Sequence, residues 1–220
     1  MTLAELITSA RGLTCDSVSQ SYLWSDAEWT EYANDGEREA CRRARLLIDS
    51  TTAEVCQITL DATHTTFDLD PRVIFIRRVK LAGQSIPLKR VSYKDLDQYR
   101  TGWDEETGTP LAYIPDLDTN LFRPFPSPIA AGTINMTVVR LPLADMGTGG
   151  EPEINSRYHS GLVHWMLHRA YAKQDSETMD KKKSAEYLDL FEQEFGKKSS
   201  ALDETWIQRE HGYTEDEGVF

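Results

Sequence analysis

The chain has 220 residues and a formal net charge of −12 at neutral pH. This length allows one large domain or two modest ones, each able to bury a hydrophobic core. No apolar run approaches the roughly 18 residues that a membrane-spanning helix requires. Proteins that grip nucleic acid usually carry a basic surplus, so the acidic balance argues against a DNA-gripping role.

The first fifty residues have the spacing of helices. A short helix is predicted around Leu3–Arg11, and a long one in residues 23–49, LWSDAEWTEYANDGEREACRRARLLID. Ser25 and Glu28 form an S-x-x-E capping box at the start of the long helix. Apolar and small side chains then recur at steps of three and four residues, which predicts one buried face. These are Trp29, Tyr32, Ala33, Gly36, Ala40, Ala44, Leu47 and Ile48.

The opposite face of this helix is charged. Glu39 and Arg43 are in the favoured order for an ion pair, which adds only about 0.3 kcal/mol. Two interpretations of the arginines stay open. They form a solvated face partly paired with Glu37 and Glu39, or they contact phosphate or the acids of a partner such as a neighbouring subunit. The arginine cluster consists of Arg38, Arg42, Arg43 and Arg45.

Between residues 51 and 145 the pattern changes to a two-residue period with β-branched and aromatic side chains. Turn residues such as Gly83, Gly108 and Pro110 separate the runs. Short strands at this spacing favour an antiparallel sheet or a small β-sandwich over parallel βαβ units. The predicted strands are Glu54–Asp61, Thr65–Asp68, Val73–Leu81, Ser85–Val91, Leu111–Asp116, Asn120–Phe125 and Thr133–Leu141.

Helical signals return after a segment predicted to be flexible, Asp145–Pro152. Pro152 suits the first turn of a helix, and apolar residues follow it at helical steps between Tyr158 and Ala170. A last helix is predicted to start at Asp180, a good N-cap residue, and to end before Gly196.

The predicted fold class is α+β. A helical bundle is built from both terminal regions, residues 1–50 and 146–196. Residues 51–145 form an inserted antiparallel β-sheet or small β-sandwich, and residues 197–220 form an acidic C-terminal tail.

This tail is too polar to build its own core. From Asp203 to Phe220 it has six acids and one base. Trp206, Tyr213 and Phe220 are spread among these acids. Aromatic side chains that cannot bury themselves locally often serve as interface anchors, so they either dock on a partner or fold back on the same chain.

Three patterns resemble known binding sites only in part. His164 and His168, with His159 nearby, have a metal-like spacing but lack the glutamate of H-E-x-x-H, so structural histidines are favoured. Asp116, Asp118 and Asn120 start like a calcium loop, but Leu121 and Ser127 occupy the positions of its glycine and glutamate, which favours a turn.

The run Gly147–Gly150 precedes a predicted helix, where phosphate could bind. No Lys-Ser/Thr pair follows, and Glu151 and Glu153 place negative charge at the site, which favours a hinge. The chain also lacks a G-x-S-x-G elbow. The sequence therefore predicts no catalytic residue, no metal site and no cofactor.

Several segments together resemble the head-to-tail adaptor (connector) proteins of tailed bacteriophages, especially short-tailed ones. The resemblance covers roughly residues 10–196. It depends on all the segments together and on their order, since no single segment is a catalytic signature. The segments are residues 23–49 quoted above, DPRVIFIRRVKL (70–81), ETGTP (106–110), TINMTVVRLPLADM (133–146) and HWMLHRAYAKQD (164–175).

The resemblance implies a structural virion protein of the neck, made in the host cytoplasm and not an enzyme. It implies a ring of twelve copies that joins the portal protein to the tail tube or nozzle protein, with DNA only as cargo in the channel and no membrane contact. Alternatives are another neck component, such as a stopper or tail-completion protein, or a metal-dependent enzyme using the three histidines.

Overall fold

The computed structural model describes residues 1–16, 22–115, 117, 120–174 and 178–200. The chain divides into two compact units, and each is described by itself. The first consists of Met1–Leu47 and Arg140–Lys198, and the second contains Ile48–Val139. Helices and strands are both abundant, which confirms the α+β class.

The first unit contains four longer helices. Their bounds are α1 Leu3–Thr14, α2 Asp26–Ala44, α5 His159–Ala172 and α6 Lys181–Phe195, with a 3₁₀ turn Ser156–Tyr158 before α5. Helix α5 packs against α1, α2 and α6. Its buried face meets aromatic rings from the other helices. The centroids of Trp165 and Phe191 of α6 lie 4.9 Å apart, and those of Tyr171 and Trp24, just before α2, lie 5.9 Å apart.

Glycines let these helices approach closely. A Cβ atom on Gly36 would lie 3.1 Å from the Trp165 ring, and one on Gly161 would lie 2.7 Å from the Phe195 ring. Both distances are shorter than ordinary van der Waals contacts, so the interior has no space for a methyl group at either position. Gly36 lies on the predicted buried face of α2, and its lack of a side chain lets α5 approach there.

The second unit is built mainly of short strands. The strands are β1 Leu47–Asp49, β2 Gln57–Leu60, β3 Phe67–Asp68, β4 Val73–Leu81, β5 Lys89–Arg90, β6 Thr107–Gly108, β7 Ala112–Ile114, β8 Leu121–Phe125, β9 Ser127–Pro128 and β10 Gly132–Arg140. Two short helices, α3 Ala53–Cys56 and α4 Tyr93–Tyr99, and a 3₁₀ turn Trp103–Glu105 complete the set.

These strands form one sheet with the order β1-β10-β2, in which β4 also pairs with β10, and a second with the order β3-β8-β7-β5. Strands β6 and β9 form a separate pair. The β2–β10, β3–β8 and β7–β8 pairs are antiparallel, as predicted. The β5–β7 and β6–β9 pairs are parallel, so the expectation of purely antiparallel pairing is corrected.

Several predicted elements are confirmed. The capping box of Ser25 and Glu28 is present at the start of α2. Helix α6 starts after Asp180, whose carboxylate accepts two backbone N–H bonds, and ends before Gly196. Strand β4 has the predicted bounds.

The predicted end of the long helix was wrong. Helix α2 ends at Ala44, because Arg45 adopts left-handed geometry with a φ of 53° and its N–H donates to the carbonyl oxygen of Cys41. Leu47 and Ile48 then belong to β1. The spacing of Leu47 and Ile48 is compatible with a helix or a strand. In the strand, pairing with β10 satisfies the backbone hydrogen-bonding groups.

Three other bounds are corrected. The first part of predicted strand Glu54–Asp61 is the short helix α3, and the strand predicted over Ser85–Val91 is reduced to Lys89–Arg90. Pro87 has no N–H for a sheet, which fits the late start of β5. Pro152 precedes α5 by several residues and is not in its first turn.

Candidate interaction surfaces

The arginine cluster of α2 divides into one buried and three more accessible side chains. Arg43 is only 4% exposed, and its Nε lies 2.8 Å from a carboxylate oxygen of Glu39. One terminal nitrogen lies 3.4 Å from Glu192 and 3.2 Å from the carbonyl oxygen of Gly196, at the end of α6. Arg43 therefore ties two helices of its own unit together.

The other three arginines are half-buried, and we call them the outer arginines. Arg38 forms an ion pair with Asp145. The Arg42 side chain is 36% exposed and lies 4.0 Å from Glu39, one turn earlier on the helix. Arg45 follows the last residue of α2. Such partly solvated ion pairs contribute little stability, so these cations can also contact a partner.

Glu37 lies in the interior and not on the charged face where the sequence placed it. The residue is 2% exposed. One carboxylate oxygen accepts the backbone N–H groups of Glu153 and Ile154 at 2.5 and 3.2 Å. Burial raises the pKa of this carboxyl group, against the lowering effect of the two backbone bonds. Glu37 follows Ala33 by four residues and precedes Ala40 by three, so helical spacing places it beside the buried stripe of α2.

The segment between β10 and α5 is fixed by further bonds to the helices of the same unit. The Asn34 side chain exchanges two hydrogen bonds with the backbone of Met146, at 2.7 and 3.4 Å. Arg140 forms an ion pair with Glu153, whose carboxylate also accepts the N–H of Leu143 at 2.9 Å. Asn34 and Glu37 thus hold this segment on α2 at two points.

The three candidate histidines have different environments. His159 is buried, and its Nε2 lies 2.9 Å from the carbonyl oxygen of Ile154. His168 Nδ1 lies 2.9 Å from the carbonyl oxygen of Ser184 on α6. His164 stacks on Tyr187 with a centroid distance of 6.4 Å. Within the described part of the chain, no group of three His, Cys, Asp or Glu residues is placed to hold a metal ion.

The two other weak patterns are resolved only in part. Asp116 and Asp118 lie outside the described residues, and Asn120 has a φ of 58°, typical of a turn. In the glycine run, the Gly150 N–H donates to the carbonyl oxygen of Gly147 at 2.9 Å, and the Gly150 carbonyl accepts the N–H of Leu3 at 2.9 Å. The hinge stays a prediction.

Exposed apolar side chains form a feature that the sequence analysis missed. Ile86 is 74% exposed, Tyr99 67%, Leu111 65% and Ile129 61%, all in the second unit. Single exposed apolar residues are ordinary. They are candidate contact points for a partner, and only their exposure in the structure identifies them.

The tail residues Trp206, Tyr213 and Phe220, predicted to dock on a partner, lie outside the described residues. Among the helices that the structure describes, none is long and apolar enough to cross a membrane. The structure thus has accessible arginines on the first unit and exposed apolar side chains on the second.

Comparison with known proteins gives the family. No curated protein matches the chain. The family described as SU10 adaptor protein matches residues 1–211, which extends beyond residues 10–196 at both ends. It is a family of phage head-to-tail adaptors, which are structural proteins. Since the match covers nearly the whole chain, the protein belongs to the SU10 adaptor protein family.

Proposed function

We propose that this protein forms a ring that joins the portal to the tail tube in the virion neck and lets the genome pass. The observation that carries the proposal is the family match over residues 1–211. The family also supports contacts with portal and tail components and a place in the virion.

The charge of the chain suits such a channel. Twelve copies of −12 give a formal total of −144 for a ring. A wall with the same sign of charge as DNA lets a duplex slide, because tight contacts to many phosphates would slow its movement.

The direct test mixes the purified full-length protein with purified portal rings. We expect a stable complex in which a second ring caps the portal in negative-stain images, with twelve copies by native mass spectrometry. Absence of the protein from the neck of intact virions would overturn the proposal. A position below another adaptor ring would assign it to the stopper or tail-completion class.

We also propose that the outer arginines contact acids of the neighbouring subunit. The test reverses two of them, Arg42→Glu and Arg45→Glu, and leaves the buried Arg43 intact. A matched control, Lys181→Glu and Lys182→Glu, changes the same charge at exposed positions on α6. Both variants carry the same added negative charge, and we expect the arginine variant to lose far more rings than the control. Equal loss in both variants would indicate a general charge effect.

The third part of the proposal concerns the C-terminal tail, which we propose docks on the portal through Trp206, Tyr213 and Phe220. Deletion of residues 201–220 should leave a folded protein that no longer joins portal rings. Replacing the three aromatic residues with alanine tests the anchors while keeping the acids. Portal joining by the deletion variant at the level of the full chain would refute this docking.

A further inference from the structure

One segment of this acidic chain is strongly basic. From Val73 to Val91, which includes β4, β5 and their connection, the sequence has five basic residues and no acid. The rest of the chain therefore carries a net charge of −17. We call the five residues the basic strip: Arg77, Arg78, Lys80, Lys89 and Arg90.

The fold brings these cations together. The Leu88 N–H donates to the carbonyl oxygen of Val79 at 2.9 Å, so the residues of β5 run back beside those of β4. Arg77, Arg78 and Arg90 line the same cavity of about 180 Å³. Strand β4 pairs with β10 and β5 pairs with β7, so the cations come from two different sheets.

Acids of the described residues do not neutralise most of the strip. Within that part of the chain, Arg77, Arg78, Lys80 and Lys89 form no ion pair. Arg72, just before β4, is different, because it lies 2.7 Å from Asp70 and 2.6 Å from Glu54. The exposed side chains of Arg77, Arg78 and Lys89 are thus available to an external anion.

The composition of the strip favours nucleic acid over an acidic protein. Charged residues are depleted at the centre of protein–protein interfaces, whereas protein–DNA interfaces are much more positively charged. Guanidinium groups also pair with phosphate through two parallel hydrogen bonds. The acids elsewhere do not cancel this local field, because the screening length is about 8 Å at physiological salt.

We propose that the basic strip binds the phosphate backbone of double-stranded DNA without regard to base sequence. The choice of DNA rests on the proposed function, in which the genome passes through the adaptor. A small number of phosphate contacts gives a weak, transient grip, which is compatible with movement of the genome through an acidic channel.

The test measures fluorescence anisotropy of a short labelled duplex with the full-length protein, from about 50 to 200 mM salt. We expect binding to weaken with salt. In the variant Arg77→Gln, Arg78→Gln and Lys89→Gln, affinity should fall about tenfold or more, and the slope of log K against log salt should flatten by about 0.9 per lost contact.

Two control variants distinguish a specific role of the basic strip from a general effect of net charge. Lys181→Gln, Lys182→Gln and Lys183→Gln remove the same charge from α6 and should leave the slope unchanged. Arg77→Lys and Arg78→Lys keep the charge and should retain binding. The inference is overturned if the wild-type protein does not bind DNA, if the α6 variant loses as much affinity, or if the strip binds polyglutamate but not the duplex. Portal joining in these variants is scored separately, so failure here leaves the proposed function standing.

Discussion

At Glu37, two opposing effects act on one buried carboxylate. Burial penalises the charged form and raises its pKa, while the N–H groups of Glu153 and Ile154 stabilise it. A carboxyl group whose pKa is higher in the folded state binds more protons folded than unfolded. The contribution of this group to the free energy of unfolding is therefore largest below its unfolded pKa of about 4.3. It decreases as the pH rises through the pKa of the folded state.

Substitutions at Glu37 should separate the hydrogen bonds from the charge. Glu37→Ala removes the acceptor of the buried Ile154 N–H and of the half-buried Glu153 N–H, and we expect a loss of about 2 kcal/mol in the free energy of unfolding at neutral pH. Glu37→Gln keeps an acceptor and removes the charge, so it should cost less and flatten the pH dependence above about pH 4.3. Chemical denaturation across pH checks both, and equal losses in the two variants would contradict this account.

Gly161 allows a prediction with an internal control. A methyl group there would clash with the Glu194 carboxylate and lie 2.7 Å from the Phe195 ring, so Gly161→Ala should destabilise the protein by about 1–3 kcal/mol. A methyl group on Gly12 of α1 would meet open space, with no neighbouring atom within 4 Å, and Gly12→Ala should stabilise by up to about 1 kcal/mol. Thermal unfolding of both variants measures the difference, and a shift in the same direction would be inconsistent with close packing at Gly161.

At the scale of the elements, Arg43 connects α2 to the end of α6. Its side chain is 4% exposed and contacts Glu39, Glu192 and the carbonyl oxygen of Gly196. Arg43→Ala leaves these acceptors without their cation, and we expect a loss of about 3 kcal/mol. A double-mutant cycle with Glu192→Gln, followed by urea unfolding, should show coupling between the two sites. Purely additive effects would show that the pair does not link the helices.

The elements that the sequence predicts well are those with strong local signals. Asp180 and Gly196 mark both ends of α6, and the β-branched and aromatic residues of Val73–Leu81 are typical of a strand, β4. The end of α2 was misplaced because Arg45 takes a left-handed conformation that arginine rarely adopts. Parallel pairing of β5 with β7 depends on contacts between distant segments, which local periodicity does not encode.

The contact surfaces were predictable to a smaller extent. The arginine cluster is visible in the sequence, but only the fold shows that Arg43 points inward and that Glu37 is buried. Both residues lie three or four positions from members of the buried stripe, but charged side chains are usually assigned to the surface. The family resemblance depended on the order of many segments, and this is the part of the functional prediction that the comparison confirms.

For the whole molecule, charge predicts opposite effects of salt on ring formation and on DNA binding. Each copy carries −12, so neighbouring copies in a ring repel one another. Raising salt from about 0.01 to 0.1 M shortens the screening length from roughly 30 to 10 Å, which weakens this repulsion. Ring formation should therefore increase several-fold over this range, as measured by mass photometry at fixed protein concentration.

The arginine variant sharpens this test, because Arg42→Glu and Arg45→Glu change each copy by a further −4. Its ring formation should depend more steeply on salt than that of the wild-type protein, since repulsion between copies grows with their charge. Rings of the wild-type protein that dissolve as salt rises would show that ion pairs between subunits outweigh the net repulsion. DNA binding by the basic strip weakens over the same range, so one salt series distinguishes contacts between copies from contacts with the genome.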